Sequence, residues 1–501
     1  MRIVLAATLV AAALRLFRLG HQSLWIDEVF TWMAAGAGGH FGMRDLLENV
    51  HGALYAYALH LWMGLAGQSE WALRFPSALA GVLTVPAMAW LARRWVGRDA
   101  VAPAAWLAAG SPFLIWYAQE TRGYAWLMLF TTLSAAALLE LQRRCDARGV
   151  VRYVALTAMA AGSNLSIALL APLHLRWWFS GEPATRRPRA LALALVAGGL
   201  LLAAAPWLPQ VASTWDWSRL KPTHAASAAE APLRGQTTNH IAAAPFALHA
   251  FAVGYTLGPS LRELRQHAGM APLRRHAGEL LMTALVFGVL GIRGLLALAR
   301  RGRLADTCLW LIAPGVLVSY FAAQNFKVFH PRYLTASLPC FLLVLAAAFA
   351  DLRGRGRVLL AVAVAGLWSV SLYQHYFDPA YAREDYRGAL AAVRAHIAPG
   401  EQVLAVGSEE AVYWYAKGLP HVGRLWLGYV SRPGRMSEKL ADALAQADGT
   451  WVVLSRSEDL DPADEFVTLL KAKYPDAWRW SGPGVRLWHL PKVRVAARAT
   501  P

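Results

Sequence analysis

Seven long stretches without a charged residue constrain this sequence more than any other feature. They lie between Arg74 and Arg93, Asp99 and Glu120, Arg122 and Glu140, Arg189 and Asp216, Asp306 and Lys327, Arg332 and Asp351, and Arg357 and Asp378. A helix needs about 20 predominantly apolar residues to cross the hydrocarbon core of a bilayer. A single stretch of this kind can be a buried core helix, but seven predict a polytopic α-helical membrane protein.

The composition supports a membrane protein and excludes several other classes. Charged residues make up 16% of the chain, against roughly 25% in a typical soluble domain. The net charge of +18 comes from basic residues that cluster in short loops between apolar stretches, as expected where they mark the cytoplasmic side. No basic helix or aromatic repeat indicates a nucleic-acid partner. The three cysteines have neither metal-site spacing nor the pattern of a disulfide framework.

The distribution of arginines predicts the topology. With the amino terminus in the cytoplasm, about eleven spans keep the arginine clusters inside, and the first apolar segment is an uncleaved span. The count depends on residues 150–180, which suit either one span or two short helices that turn at the Gly-Ser-Asn of residues 162–164. One span would export every later arginine cluster, so we prefer two helices. Arg15 and Arg18, near the outer end of the first span, break the rule and either snorkel to the interface or face an anion.

From Asp378 the charge rises, and the pattern alternates between short strands and helices. The predicted strands are 402–406, 425–427, 451–454 and 486–490, and the predicted helices are 386–396, 409–417, 437–447 and 463–473. We therefore divide the chain into a transmembrane domain, residues 1–377, and a small soluble α/β domain outside the cytoplasm, residues 378–501. The second domain has no phosphate loop, nucleophile elbow or metal cluster in its sequence, so we place the chemistry in the first.

Two adjacent carboxylates follow the first predicted span, in the sequence Trp25-Ile-Asp27-Glu28. Carboxylates at a membrane surface lose hydration, so their presence needs a reason. They could simply begin an interfacial helix, where negative charge favours the helix dipole. They could also perform acid–base chemistry on a substrate at the outer surface.

Two further external segments carry polar groups to the same surface. The sequence after the third span contains Glu120, Arg122 and Tyr124, and the turn before the tenth contains Lys327, His330, Arg332 and Tyr333. Without any functional role, the first segment would form an interfacial ion pair, and the second would be an ordinary charged loop. Cations on the outer side nevertheless run against the positive-inside trend, so a bound anion is the alternative.

These motifs resemble a known family in their order, spacing and topology. They are Trp25-Ile-Asp27-Glu28, Trp116-Tyr-Ala-Gln-Glu120-Thr-Arg122-Gly-Tyr124, Pro331-Arg332-Tyr333 and Glu70-Trp-Ala-Leu-Arg74-Phe-Pro76. The chain is similar to GT-C fold glycosyltransferases of the protein O-mannosyltransferase and aminoarabinose (lipid A) transferase type, over most of residues 1–375. One stretch departs from the family, because its His-Pro-Pro-Leu-Tyr-like segment reads His51-Gly-Ala-Leu-Tyr55 here.

The resemblance implies an inverting glycosyltransferase in the bacterial inner membrane. It would move a sugar from a polyprenyl-phosphate carrier, among the membrane lipids, to a protein hydroxyl or a lipid or glycolipid acceptor on the outer face. Asp27 would be the catalytic base, with Glu28 and Glu120 as the other catalytic carboxylates. The expected substrate-binding residues are Arg122, Lys327 and Arg332, which would hold the carrier phosphate, and Tyr124, His330, Tyr333, His51 and Tyr55.

The resemblance implies no certain cofactor. Some GT-C relatives use a divalent metal, for which Asp27, Glu120 and His51 could supply ligands. Two other functional classes stay open at this point. A lipid or sugar transporter would also have many spans, but it usually places ionisable residues near mid-span. A membrane scaffold would not need the external carboxylates and arginines.

Overall fold

The computed structural model is mostly helical and ends in a small sheet domain. It describes residues 1–36, 52–180, 186–205, 243–266, 270–325, 330–407, 409–419, 422–424, 440, 442, 444, 447–456 and 464–491.

The helices of residues 1–377 alternate between long apolar segments and short connecting ones. Those in the first half are α1 (Arg2–Leu16), α2 (Ile26–Ala34), α3 (Ala53–Ala66), α4 (Glu70–Trp95), α5 (Val101–Gly110), α6 (Pro112–Ala118), α7 (Tyr124–Arg143), α8 (Ala147–Ser163), α9 (Ala171–Phe179) and α10 (Arg186–Ala204). Those in the second half are α11 (Ala243–Val253), α12 (Leu261–Gln266), α13 (Ala271–Arg275), α14 (Ala277–Arg300), α15 (Leu304–Asn325), α16 (Leu338–Asp351) and α17 (Gly354–Phe377). Short 3₁₀ turns precede α5, α9 and α16, at Arg98–Ala100, Leu165–Leu170 and Pro331–Ser337.

Five helices in the described residues are long and apolar enough to cross a membrane, which makes this a multi-pass membrane protein. They are Glu70–Trp95, Tyr124–Arg143, Ala277–Arg300, Pro331–Asp351 and Gly354–Phe377. A sixth span results if α5 and α6, which meet at an angle of 52°, are one broken span. The break falls at Ser111-Pro112, where proline cannot donate its backbone nitrogen to the helix ladder. A helix is present at each of the eleven expected spans. Among the described residues, however, five or six helices are long and apolar enough to cross a membrane. The count of eleven spans therefore stays a prediction.

The helix break predicted near residues 162–164 is present. α8 ends at Ser163, and the Asn164 side chain accepts a hydrogen bond from the backbone N–H of Ser166 (2.9 Å) to begin the next turn. This cap starts the 3₁₀ turn that leads into α9. The local chain therefore follows the two-helix interpretation of residues 150–180.

Arg15 binds the carboxy-terminal end of a neighbouring helix, a contact that the sequence did not predict. Its side chain is fully buried, and it donates hydrogen bonds to the backbone oxygens of Ala108 (2.8 Å) and Ala109 (2.9 Å). These carbonyls belong to the last turn of α5, which carries partial negative charge. Arg15 thus caps a neighbouring helix, and neither snorkelling nor an external anion explains it. Arg18 lies over the ring of Phe377, 5.0 Å from its centroid.

The sheet domain has five described strands. They are β1 (Glu401–Val406), β2 (Val422–Arg424), β3 (Gly449–Ser455), β4 (Trp478–Gly482) and β5 (Val485–Pro491), in the spatial order β2-β1-β3-β5-β4. β1 pairs in parallel with β2 and β3, whereas β5 pairs antiparallel with β3 and β4. Three helices with both ends among the described residues accompany the sheet, namely α18 (Tyr386–His396), α19 (Glu409–Tyr415) and α20 (Glu465–Lys473).

Three of the four predicted strands coincide with β1, β3 and β5, and the predicted helices 386–396, 409–417 and 463–473 coincide with α18, α19 and α20. The predicted strand 425–427 and most of the predicted helix 437–447 lie outside the described residues. β4 was not predicted, although its Trp478-Arg-Trp-Ser481 stretch alternates apolar and polar residues. It is a short edge strand with mostly exposed residues.

The sheet domain rests directly on the first external loop. Arg387 of α18 forms an ion pair with Glu70 at the start of α4 (2.6 Å), and the Tyr415 hydroxyl accepts a hydrogen bond from the backbone N–H of Leu24 (2.7 Å). Ser23 also donates to Asp385 at 3.3 Å. These contacts hold the segment after α17 against the loop that carries Asp27 and Glu28.

Candidate active site

Asp27 and Glu28 occupy the first turn of α2, as expected for acidic residues at a helix amino terminus. The Glu28 carboxylate accepts a hydrogen bond from the backbone N–H of Trp25 at 3.3 Å, which helps to start the helix. Because consecutive residues of a helix do not share a face, the two carboxylates point in different directions. Each therefore has its own set of partners.

Glu28 is fully buried and surrounded by donors. Arg74 donates to both of its oxygens, from Nε to Oε1 and from Nη2 to Oε2, each at 2.8 Å. The backbone N–H of Thr121 (2.8 Å) and Nη1 of Arg383 (3.1 Å) complete the set. Burial alone would raise the pKa of Glu28, but these two cations and the donated hydrogen bonds outweigh it and lower the pKa from 4.5 to about 2. This enclosed, ionised carboxylate fits a structural role better than the catalytic role that we expected.

Glu120 lies in the loop between α6 and α7 and is 2% exposed. Its Oε1 accepts a hydrogen bond from Nη2 of Arg383 at 2.8 Å. Its Oε2 is buried and has no hydrogen-bond partner in the part of the chain that the structure describes. Burial raises the pKa of Glu120, and the nearby Glu28 carboxylate adds to the effect, against the lowering effect of Arg383 and Arg122.

Asp27 has the opposite environment to Glu28, because it keeps contact with solvent. Its side chain is 21% exposed, and Oδ2 accepts a hydrogen bond from Nη1 of Arg332 at 2.7 Å. Arg122 donates to the backbone oxygen of Asp27 (3.2 Å) and to the Thr31 hydroxyl (3.0 Å). The partly open carboxylate thus pairs with Arg332, while a second guanidinium contacts the backbone of the same residue.

Aromatic rings support both arginines. The Arg122 guanidinium lies 5.7 Å from the ring centroid of Tyr124, and the Arg332 guanidinium lies 5.4 Å from that of Tyr333. The His330 imidazole accepts a hydrogen bond from the backbone N–H of Arg332 (3.2 Å), which caps the 3₁₀ turn that carries the arginine. The expected residues Tyr124, His330 and Tyr333 therefore gather around the two cations.

Tyr55 lies behind this group of residues. It is 2% exposed, and its hydroxyl shares a hydrogen bond with Ser77 (2.8 Å), which donates in turn to the backbone oxygen of Arg122 (3.1 Å). The contact supports Arg122, whereas we expected Tyr55 to touch the substrate. His51 and Lys327 lie outside the described residues, so their roles stay predictions. Within the described residues, no group of three or more His, Cys, Asp or Glu side chains could hold a metal ion.

Arg383 was not predicted as a residue of the site, and Arg74 was predicted without a role. Arg74 appears in the segment that resembles the family, but nothing in its sequence context indicated an ion pair with Glu28. Arg383 follows the last apolar helix, and its side chain, 8% exposed, reaches both Glu28 and Glu120. A general physical rule could have indicated both arginines. Buried carboxylates need cationic partners, and arginines near the outer surface can supply them.

The site thus has two parts. We call Glu28, Arg74, Arg383 and Glu120 the inner cluster, and Asp27, Arg122 and Arg332 the outer cluster. The inner cluster joins α2, α4, the loop before α7 and the segment after α17 through buried ion pairs. The outer cluster combines one accessible carboxylate with two cations, which suits proton transfer next to an anionic group.

The family described as dolichyl-phosphate-mannose-protein mannosyltransferase matches residues 50–210 of the chain. The solved structure of ArnT from Cupriavidus metallidurans in the apo state aligns over 97% of both chains, with a TM-score of 0.59 and 14% identity. The same protein bound to undecaprenyl phosphate aligns over 99% of both chains, with a TM-score of 0.57 and 16% identity. The chain has the GT-C fold.

A second GT-C protein extends the comparison. The archaeal oligosaccharyltransferase AglB from Archaeoglobus fulgidus, in complex with an inhibitory peptide and a dolichol-phosphate, has a TM-score of 0.51 and 12% identity. That alignment covers 99% of this chain and 75% of AglB. No curated protein sequence matches the chain. At these identities the likeness establishes the GT-C fold, and the family match at residues 50–210 includes Arg74, Glu120 and Arg122.

Proposed function

We propose that this GT-C protein is a glycosyltransferase that moves a sugar from a polyprenyl-phosphate carrier to an acceptor hydroxyl, with Asp27 as the general base. The observation that carries the proposal is the outer cluster. The Asp27 carboxylate keeps an exposed surface and pairs with Arg332, and Arg122 donates to the backbone oxygen of the same residue. A base and cations for a departing phosphate are the two requirements of a single displacement at a phosphate-linked sugar.

The reaction assigns a task to each group of the outer cluster. Asp27 accepts the proton of the acceptor hydroxyl as the oxygen attacks the anomeric carbon. The bond between that carbon and the carrier's phosphate oxygen breaks, the anomeric configuration inverts, and the polyprenyl phosphate leaves with additional negative charge. Arg332 and Arg122 stabilise this charge as it develops, which is the electrostatic part of catalysis.

The contact between Asp27 and Arg332 predicts how the donor prepares the site. While they form an ion pair, Arg332 donates to Oδ2, one of the two carboxylate oxygens that could accept the proton. A carrier phosphate is a stronger attraction for guanidinium groups, which bind phosphate through paired hydrogen bonds. Donor binding would therefore draw Arg332 from Asp27 and free a lone pair for the acceptor.

The comparisons support the class of donor. One solved ArnT structure holds undecaprenyl phosphate, and the AglB complex holds a dolichol-phosphate and a peptide. A polyprenyl-phosphate donor for this chain agrees with both, and the acceptor would be a hydroxyl of a protein, a lipid or a glycolipid. The outer cluster lies beside the ends of apolar helices and stays partly exposed, so a lipid-anchored phosphate could reach it.

The arginine pattern supports a location of the site on the outer face of the inner membrane, with residues 378–501 outside the cytoplasm. A periplasmic phosphatase fused to the carboxy terminus should be active, and a reporter that works only in the cytoplasm should be inactive. The reverse result would contradict this orientation.

The direct test is transfer by purified protein in nanodiscs. The protein is incubated with a panel of radiolabelled polyprenyl-phosphate sugars and with extracts of membrane lipids and proteins, and labelled products are identified by mass spectrometry. We expect transfer by the wild type and little by the Asp27→Asn variant. A folded wild type that transfers no sugar from any donor, yet moves the carrier lipid across the bilayer, would favour a transporter instead.

A further inference from the structure

Arg383 returns from the end of the apolar helices to the centre of the site. It follows α17 by six residues, in the short segment before α18. Its Nη1 donates to Oε2 of Glu28 (3.1 Å), and its Nη2 donates to Oε1 of Glu120 (2.8 Å). One guanidinium therefore bridges the first turn of α2 and the loop before α7.

The surroundings of Arg383 fix this bridge in place. The guanidinium lies between the rings of Trp25 and Trp116, at 5.6 and 5.2 Å from their centroids. The backbone N–H of Arg383 donates to the Gln22 side chain at 3.1 Å. Aromatic faces and a planar fork of donors suit arginine in a way that lysine cannot reproduce.

We propose that Arg383 is a positioning residue of the active site, which holds the helix of Asp27 against the loop of Arg122 by bridging Glu28 and Glu120. The proposal rests on the glycosyltransferase function proposed above. In this proposal, the segment that follows the last apolar helix contributes a residue to the active site.

The connections on both sides of the bridge are short. Glu28 is the immediate neighbour of Asp27 in α2, and Glu120 is two residues from Arg122. Arg122 itself donates to the backbone oxygen of Asp27. A loss of the bridge would therefore change the relative position of the base and one of its two cations, and small misplacements of reacting groups reduce rates strongly.

The two carboxylates depend on Arg383 to different extents. Without it, Glu28 still has Arg74 and the N–H of Thr121. Glu120 would have no hydrogen-bonded cation among the described residues, and a buried carboxylate without a partner takes up a proton. The charged groups that face Glu120 are Arg383, Glu28, Arg122 and Asp27, and the phenols are Tyr55, Tyr117 and Tyr255.

This asymmetry gives the proposal a pH signature. Burial already raises the pKa of Glu120, and Arg383 opposes that rise. Removal of the cation would raise the pKa further, so that Glu120 is protonated at pH values where the wild type holds it ionised. Loss of activity on the acid side would then begin at a higher pH.

The test compares Arg383→Gln, Arg383→Lys and Arg387→Gln in the full-length protein in nanodiscs. Arg387 is the matched control, because it anchors the same segment through Glu70 and makes no contact with Glu28 or Glu120 in the described residues. We expect Arg383→Gln to lower kcat by roughly tenfold to a hundredfold, with a small change in the donor KM and an acid limb shifted to higher pH. Arg383→Lys should recover part of kcat and most of the pH shift.

Arg387→Gln should leave the acid limb where it is. Wild-type kinetics and pH dependence in Arg383→Gln, or the same kinetic change in Arg387→Gln, would overturn the proposal. Hydrogen–deuterium exchange of residues 26–34 and 119–123 tests the bridge independently of any activity assay. Exchange in both segments should be faster in Arg383→Gln and unchanged in Arg387→Gln. A wild type without transferase activity would overturn the proposed function, whereas unchanged exchange in Arg383→Gln would overturn the bridge.

Discussion

The inner and outer clusters use the same chemical groups for opposite purposes. In the inner cluster, Glu28 is fully buried and both of its oxygens are occupied by arginine donors. In the outer cluster, its neighbour Asp27 is 21% exposed, and Arg332 donates to one of its oxygens. Carboxylates at a membrane surface are therefore structural when their partners surround them and can react when one side stays open.

The two clusters also differ in how they join the chain. The inner cluster connects four separate segments, so its ion pairs fix the positions of elements. In the outer cluster, the paired side chains of Asp27 and Arg332 both stay partly exposed, so their ion pair can be exchanged for a substrate contact. The inner cluster therefore holds the surrounding segments in place, and the outer cluster can exchange its ion pair for a substrate contact. Preorganised electrostatic catalysis needs both properties.

The largest expected effect is that of Asp27→Asn on turnover. Asparagine keeps the size of the side chain but cannot accept the proton of the acceptor, so kcat should fall by about 10²–10⁴-fold. Transfer from a labelled polyprenyl-phosphate sugar measures the change, and circular dichroism checks the fold. Nearly normal transfer would remove Asp27 as the base, and Glu120 would become the next carboxylate to test.

Glu28→Gln should act on stability instead. It removes one charge from a buried network and leaves Arg74 without its compensating carboxylate, which in comparable buried pairs destabilises the folded state by about 3–5 kcal/mol. Thermal denaturation in detergent measures the loss. If Glu28→Gln melted like the wild type but had lost turnover, the assignment of Glu28 to the structural cluster would be wrong.

The pH dependence of stability should report the same carboxylate. The pKa of Glu28 is lowered from 4.5 to about 2 in the folded protein, so its ionisation stabilises the fold fully above about pH 4.5. As pH falls from 4.5 through 2, roughly 3 kcal/mol of stability should be lost. Glu28→Gln should flatten this part of the stability profile. A profile of equal slope in both proteins would show that other groups control acid unfolding.

Arg332→Ala and Arg122→Ala should weaken the outer cluster. Each removes charge-assisted hydrogen bonds to the carrier phosphate, worth about 1.5–3 kcal/mol, so the donor KM should rise and kcat should fall. Initial rates at varied donor concentration measure the change in the donor KM separately from the change in kcat. Arg332→Lys is the matched control, which keeps the charge and should recover part of the donor affinity. A fall in kcat without a rise in KM would restrict Arg332 to orienting Asp27.

Tyr55→Phe should have the smallest effect. It removes a buried hydrogen bond to Ser77, which contributes about 1 kcal/mol, and leaves the outer cluster in place. Melting temperature and acceptor kinetics should both change little. A large rise in the acceptor KM would instead return Tyr55 to the substrate-binding role that the sequence suggested.

The class of the protein and much of its secondary structure follow from local sequence patterns. Charge-free stretches of about 20 residues are long enough for spans because of the thickness of the bilayer, and they coincide with helices such as Tyr124–Arg143 and Gly354–Phe377. The break at Asn164 and the strands β1, β3 and β5 were also predictable, because turn residues and apolar periodicity act over a few neighbouring residues.

The segments that form the site were also predictable from the sequence, but the roles of their charges depend on tertiary contacts. Asp27 and Glu28 are adjacent in the chain, and the packing of α2 against distant segments encloses Glu28 and leaves Asp27 partly open. Arg383 reaches Glu28 across 355 residues of sequence, and Arg15 finds the carbonyl of Ala109 across 94. Local patterns cannot specify such pairs, because the ion pairs and hydrogen bonds form only after distant helices have packed and excluded water from between them.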